Sequence, residues 1–199
     1  KNKLGGTCLN RGCIPTKTYI KTAEYMRHIR RAAERGIVSD PHAAVDMARV
    51  EAYKESVVER LTGGIAVLLR SNQVLVEKGD AELADDHTVV CNGKPFTAGK
   101  IIICSGSRPA QLPIPGADHP AVIDSDGILS AKKLPEKLCV IGGGVVGCEI
   151  ACAFRAFGSQ VTVIEMLPRL VANMDEAVSE AIQRSLAADG VEIYTGTAV

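Results

Sequence analysis

The run Leu138-Cys139-Val140-Ile141-Gly142-Gly143-Gly144-Val145-Val146-Gly147 constrains this chain more than any other stretch, because an apolar strand leads directly into a G-x-G-x-x-G turn that opens a helix. The glycine pattern alone says little, since glycine is common in loops. After a strand and before a helix, its three glycines acquire separate tasks: a tight turn, close approach of a pyrophosphate to the backbone, and close packing of helix on strand. The helix start offers free N–H groups and a dipole that favour an anion. Beyond the helix, Gln160 to Glu165 reads as a second strand, Asp175 to Ala188 as a helix and Val191 to Tyr194 as a third strand. That alternation predicts a doubly wound parallel sheet of the nucleotide-binding kind. Glu165 ends the second strand, where a carboxylate accepts hydrogen bonds from an adenosine ribose and repels a 2′-phosphate, so NAD is expected over NADP, with Arg169 the one nearby residue pulling the other way.

The upstream half reads differently. A helical pattern runs from Pro15 to about Arg35 with Gly36 as its C-cap, and after the Ser39-Asp40-Pro41 break a second runs from Ala44 to Leu69, interrupted at Gly63-Gly64. The charged face of the second helix, Glu51, Lys54, Glu55, Glu59 and Arg60, is expected to be solvated. Short strand-like runs follow at Val74 to Glu77, Ala81 to Leu83, His87 to Val90 and Lys100 to Cys104, predicting a small β-meander. The Pro-rich stretch from Arg108 to Pro120 marks a boundary between two units, residues 1–118 and 119–199.

Twenty-three basic and 23 acidic side chains cancel, so neither nucleic acid nor a polyanionic partner is expected. No apolar run approaches the roughly 20 residues of a membrane span, and the Lys-Asn-Lys start lacks a signal-peptide core; a cytoplasmic protein without membrane attachment is expected. Five of the seven cysteines, Cys91, Cys104, Cys139, Cys148 and Cys152, sit in apolar stretches without metal-ligand spacing and read as buried free thiols.

Cys8 and Cys13 are different. In Cys8-Leu9-Asn10-Arg11-Gly12-Cys13-Ile14-Pro15-Thr16-Lys17 their spacing allows a small disulfide loop that ends at a helix start. The helix dipole at Cys13, with Lys17 one turn on, favours a thiolate. A structural disulfide and half of a zinc site are the competing readings; a cytosolic chain disfavours the first, and the lack of a second suitably spaced Cys or His pair disfavours the second.

Gly5-Gly6-Thr7-Cys8 through Gly12-Cys13-Ile14-Pro15 and Lys17 resembles the active-site motif of the class I flavin disulfide reductases, the pyridine nucleotide-disulfide oxidoreductases. The ending Ile14-Pro15-Thr16-Lys17 is more similar to lipoamide dehydrogenases than to glutathione reductases, which usually carry Val-Pro-Lys-Lys; mercuric reductases are also similar. Thr97 and Ile101 through Ser107 resemble the family's second flavin segment, usually ending Ala-Thr-Gly, and the resemblance extends to Val199.

This resemblance implies an α/β fold: a partial FAD-binding domain over 1–118 with a small β-meander, then a partial Rossmann-like NAD-binding domain over 119–199. It implies Cys8 as the interchange thiol, Cys13 as the thiolate against the flavin, and Lys17 beside the flavin ring, paired with Glu149. FAD contacts are implied for Ala81, Ser105, Gly106 and Ser107, and NAD contacts for Gly142, Gly143, Gly144, Val145, Val146, Gly147, Glu149, Glu165 and Val199. The implied reaction is oxidation of protein-bound dihydrolipoamide with reduction of NAD. Its partner would be the lipoyl domain of a 2-oxo-acid dehydrogenase or glycine cleavage complex, and the enzyme would be a homodimer. Another disulfide or mercuric reductase and a non-catalytic truncated nucleotide-binding fragment are the alternatives. Two departures point to a fragment: the family's first FAD glycine turn and its C-terminal dimerisation domain, with a His-Glu pair, find no counterpart. His28, His42, His87 and His119 match no family motif and read as surface histidines.

Overall fold

The computed structural model describes residues 3–40 and 42–199, so Pro41 of the expected break and the Lys1-Asn2 end lie outside the described residues. The chain begins with a short helix α1 (Gly6–Arg11) and, after the single residue Gly12, a long helix α2 (Cys13–Arg31). A 3₁₀ turn over Ala32–Arg35 extends α2 to Gly36, which caps it as expected. Helix α1 was not legible because its six residues begin with glycine and lack a periodic apolar face. Pro15 falls in the first turn of α2, where its missing N–H costs nothing.

Helix α3 (Met47–Ser71) starts at Asp46, whose side chain accepts a hydrogen bond from the Arg49 N–H at 3.1 Å. It is continuous through Gly63-Gly64, contrary to the interruption expected there. Two glycines cost a helix roughly 2 kcal/mol together, and the good helix formers on either side carry the backbone ladder across them. A second correction concerns Lys54, which is only 2% exposed rather than solvated; its ammonium lies 2.6 Å from Glu55 and 3.3 Å from Glu51. The hydrogen bond from Lys54 holds the Glu55 carboxyl below the usual carboxylate range.

The meander forms from β1 (Ala81–Leu83), β2 (Thr88–Cys91) and β3 (Lys94–Thr97), all antiparallel. Its third strand is not the one the hydropathy selected. An Asn92-Gly93 turn with both residues at positive φ (52° and 75°) folds Lys94 back against Cys91. Pro95, which hid this strand in the sequence, is tolerated because β3 is an edge. The expected strands at 74–77 and 100–104 have no ladder partner among the described residues. Without one, an apolar run stays outside any sheet and exposed, as Ile102 and Ile103 do.

A five-residue helix α4 (Ser125–Leu129), too short to register as a periodic pattern, is capped by Asp124, whose side chain accepts from the Gly127 N–H at 2.8 Å. There follow β4 (Lys137–Ile141), α5 (Val145–Phe157), β5 (Gln160–Ile164), α6 (Glu176–Ala188) and β6 (Glu192–Tyr194), whose three strands pair in parallel in the order β4-β5-β6. This is the parallel sheet expected from the glycine turn. Leu138, Val140, Val161, Val163 and Ile193 turn inward with α5 and α6 into the core. The alternate residues Cys139, Ile141 and Tyr194 lie on the opposite, exposed face. Cys139 is therefore not buried, and Cys104 is exposed with its unpaired segment; Cys91 and Cys148 are buried as expected, and Cys152 is intermediate.

One hydrophobic core joins the helices of the first half to the sheet of the second. Tyr19 on α2 sits edge-on to Phe154 and Phe157 on α5, with ring centroids 6.2 and 5.9 Å away, and its hydroxyl donates to the Leu129 carbonyl at 2.9 Å. Ala23, Ala151 and Ala153 are buried without side-chain bulk, which lets α2 and α5 approach closely. Because Tyr19 lies two residues beyond Lys17, this packing fixes the height of the cysteine helix on α5.

Candidate active site

Cys8 lies within α1 and Cys13 opens α2, and the two are joined in a disulfide with a Cα–Cα separation of 4.7 Å. The break at Gly12 is what brings them together. A side chain at Gly12 would press on Cys8 Cα and the Thr7 carbonyl oxygen at 3.2 Å. One turn into α2, Lys17 forms an ion pair with Glu149 on α5, the pairing the resemblance implied. Thus the α2–α5 packing that buries Tyr19 also places a carboxylate from the glycine-turn helix against the lysine of the cysteine helix.

These groups border one cleft of about 510 Å³, lined by Cys8, Cys13, Lys17, Ser107, Val145, Val146 and Glu149 among others. Arg11, Arg108 and Asp126 also line it, although the sequence marked none of them as a site residue. Ser107 reaches the cysteine loop through its carbonyl, which accepts from Arg11 Nη2 at 3.1 Å. Gly106 lies beside Thr7: a Cβ built on it would be 3.6 Å from the Thr7 hydroxyl. Ser105 is exposed on the same segment. Ala81 is not brought to this cleft; it lines a separate hollow of about 290 Å³ on the meander with Leu75, Glu77 and Phe96. Val199 is exposed beyond β6 and does not border the cleft.

At the glycine turn each position does something different. Gly142 has φ +107°, a conformation that L side chains rarely adopt. A Cβ at Gly147 would collide with the Gly142 carbonyl oxygen and press on Val140, so helix and strand touch there only because the side chain is absent. By contrast a Cβ at Gly144 would meet nothing within 4 Å. That open space, at the N-terminus of a 13-residue helix, suits the pyrophosphate of a dinucleotide. Glu165 turns back onto the glycine turn: its carboxylate accepts from the Gly143 N–H at 2.6 Å and from the Leu167 N–H at 2.7 Å. Both bonds orient the carboxylate and hold the turn.

Cys148 lies inside α5, its thiol against the Gly143 carbonyl oxygen at 3.3 Å. Burial, reinforced by the nearby Glu165, Cys152 and Glu149, pushes its pKa up to about 11. Burial and protonation of this kind go with low thiol reactivity. All four histidines are exposed. Among the described residues no group of three or more His, Cys, Asp or Glu is arranged to hold a metal ion, and no helix is long and apolar enough to cross a membrane.

A disulfide at a helix start, a Lys-Glu pair beside it and a dinucleotide-type glycine turn thus meet across the facing helices α2 and α5. The profile of the pyridine nucleotide-disulphide oxidoreductases matches residues 2–199, and the chain belongs to that family. It is 40% identical over 202 residues to a dihydrolipoyl dehydrogenase of Bacillus subtilis, covering 99% of this chain and 44% of that protein. Against the dihydrolipoyl dehydrogenase of Acholeplasma laidlawii it is 36% identical, covering 98% of this chain and 59% of the relative. The chain thus spans about half the length of these relatives. Among solved structures, the HOCl-induced flavoprotein disulfide reductase RclA from Escherichia coli superposes with a TM-score of 0.82 at 32% identity, over 100% of this chain and 42% of that one.

Proposed function

We propose that the protein to which this chain belongs is an NAD-dependent dihydrolipoyl dehydrogenase working through the Cys8–Cys13 disulfide. The observation that carries the reading is the meeting of that disulfide, the Lys17–Glu149 pair and the start of α5 at one cleft. Dihydrolipoyl dehydrogenases at 36% to 40% identity support this substrate over others of the family.

In this reading a thiolate of the dihydrolipoyl group attacks Cys8 Sγ, forms a mixed disulfide and expels the Cys13 thiolate. The second substrate thiol then attacks its own sulfur in that bond, releasing Cys8 and closing the lipoyl disulfide. Cys13 is the better leaving group because it opens α2, where the helix dipole favours a thiolate. Lys17 brings positive charge to the cleft, and Glu149 holds its ammonium in place. When bound, FAD and NAD supply the two-electron acceptor and the hydride carrier into which the dithiol discharges. Ser105, Gly106 and Ser107 would hold FAD at the cleft, with Ala81 contributing from the meander. The turn Gly142 to Gly147, with Glu165 and Val199, would hold NAD. We assign residues 1–118 to the FAD-binding unit and 119–199 to the NAD-binding unit.

The partner in this reading is the lipoyl domain of a 2-oxo-acid dehydrogenase or glycine cleavage complex, the enzyme is a homodimer, and its compartment is the cytoplasm. Dihydrolipoamide and NAD presented to the full-length protein should yield NADH at 340 nm. Reduction of other disulfides with no dihydrolipoamide activity would replace this reading with a second one, a reductase of the RclA kind, which the structural likeness favours.

A further inference from the structure

Arg11 stands between the two cysteines, in the last turn of α1, but its side chain binds outside the cysteine loop. Nη1 lies 3.1 Å from Asp126 Oδ2 on α4, and Nη2 donates to the Ser107 carbonyl oxygen at 3.1 Å. Those partners are 115 and 96 residues away along the chain. Arg11, Asp126 and Ser107 all border the cleft that holds the disulfide. The loop is thus tied by one planar guanidinium to two segments, and the fork geometry of arginine suits two acceptors held apart.

We infer that Arg11 is a positioning residue of the redox cycle, holding the Cys8–Cys13 loop in register while its disulfide is open; this rests on the proposed redox role of that pair. With the disulfide closed, the covalent bond itself ties residue 8 to residue 13, and the strut adds little order. Reduction adds two electrons and two protons, breaks the S–S bond and leaves two thiols in a loop held only by non-covalent contacts. An interaction worth more to the open form than to the closed one shifts the equilibrium toward the open form. The positive charge of Arg11 acts in the same direction by favouring a thiolate. The two contributions separate at Asp126. Removing its charge weakens the strut but leaves the guanidinium less neutralised, so a strut and a bare charge predict opposite shifts.

The test equilibrates the full-length, flavin-loaded protein anaerobically with mixtures of reduced and oxidised dithiothreitol. Each opening of the pair is matched by closure of one dithiothreitol ring disulfide, and iodoacetamide then traps the Cys8 and Cys13 thiols for mass spectrometry. Arg11→Met should need about fivefold more reduced over oxidised dithiothreitol to open half of the pair, a drop of about 20 mV. Asp126→Asn should move the midpoint in the same direction by about twofold to threefold. Arg11→Lys should recover part of the loss, since it keeps the charge but not the fork. Unchanged midpoints in both Arg11→Met and Asp126→Asn overturn the inference. A rise in Asp126→Asn beside a fall in Arg11→Met assigns the effect to charge alone and also overturns it. If Arg11→Met does not fold, Asp126→Asn decides by the sign of its shift. A wild-type pair that no mixture opens overturns the redox reading itself.

Discussion

The glycine turn and the cysteine loop both open a helix, yet they draw their surroundings from different distances along the chain. Gly143 is held by Glu165, 22 residues away, and Gly147 packs on Gly142 and Val140 within the same strand-turn-helix unit. Lys17 instead pairs with a residue 132 positions away, and Arg11 reaches Ser107 and Asp126 across 96 and 115 positions. A nearly self-contained unit can present an anion site with little help from elsewhere. The cysteine loop contributes a guanidinium of its own, but the partners that hold its charges, Asp126 for Arg11 and Glu149 for Lys17, are delivered by tertiary packing.

The largest effect that tests this contrast is chemical. Cys13→Ser should abolish dihydrolipoamide-dependent NADH formation, and mild reduction, which adds two titratable thiols to the wild type, should add none. Surviving turnover would remove the disulfide from the mechanism.

Next come the packing variants. Lys54→Met should cost about 3 kcal/mol in urea unfolding, since it leaves Glu51, only 13% exposed, without its cation. Gly147→Val should cost about 1–3 kcal/mol by overpacking helix on strand, and should weaken NADH binding while leaving the disulfide openable by dithiols. If it also blocked opening, the glycine turn would be less self-contained than the contrast requires.

Glu165→Ala should weaken NADH binding by about 1–3 kcal/mol through loss of charge-assisted hydrogen bonds at the turn, read by fluorescence titration. Unchanged affinity would leave Glu165 only its bonds to Gly143 and Leu167.

The smallest effect is a pH slope. Because burial pushes the Cys148 thiol up to about 11 in the folded protein, from an ordinary 9.0, the folded protein keeps a proton that the unfolded chain has already lost between those values. Stability should therefore decline as pH rises from about 9 to about 11, and Cys148→Ala should flatten that segment of the curve in urea titrations. An unaltered slope would mean the thiol is more solvated than its burial indicates.

Much of this was legible in the sequence where a short segment settles its own conformation. The β4-α5-β5-α6-β6 alternation, the Gly36 cap and the separation of Cys8 and Cys13 from the other five cysteines all follow from local pattern. Reading failed where a partner decides. Lys100 to Cys104 has strand hydropathy but no neighbouring ladder, whereas Lys94 to Thr97 carries a proline yet pairs because the Asn92-Gly93 turn delivers it to β2. Lys54 looked solvated because its own helix face is charged, and only the packed structure buries it.

The sequence by itself determined the chemistry of the parts: a cysteine pair at a helix start, a glycine turn with room at Gly144 and none at Gly147, and an acidic residue closing the second strand. Spacing and side-chain volume act over a few residues, so they can be read in order. Only the tertiary structure decided which parts face one another, joining Lys17 to Glu149 beside a core centred on Tyr19, Phe154 and Phe157, and Arg11 of α1 to Asp126 of α4. The first pairing depends on how α2 beds against α5 and the second on how α1 meets α4, and burial of the shared apolar surface, which no local segment specifies, fixes the charges around the disulfide.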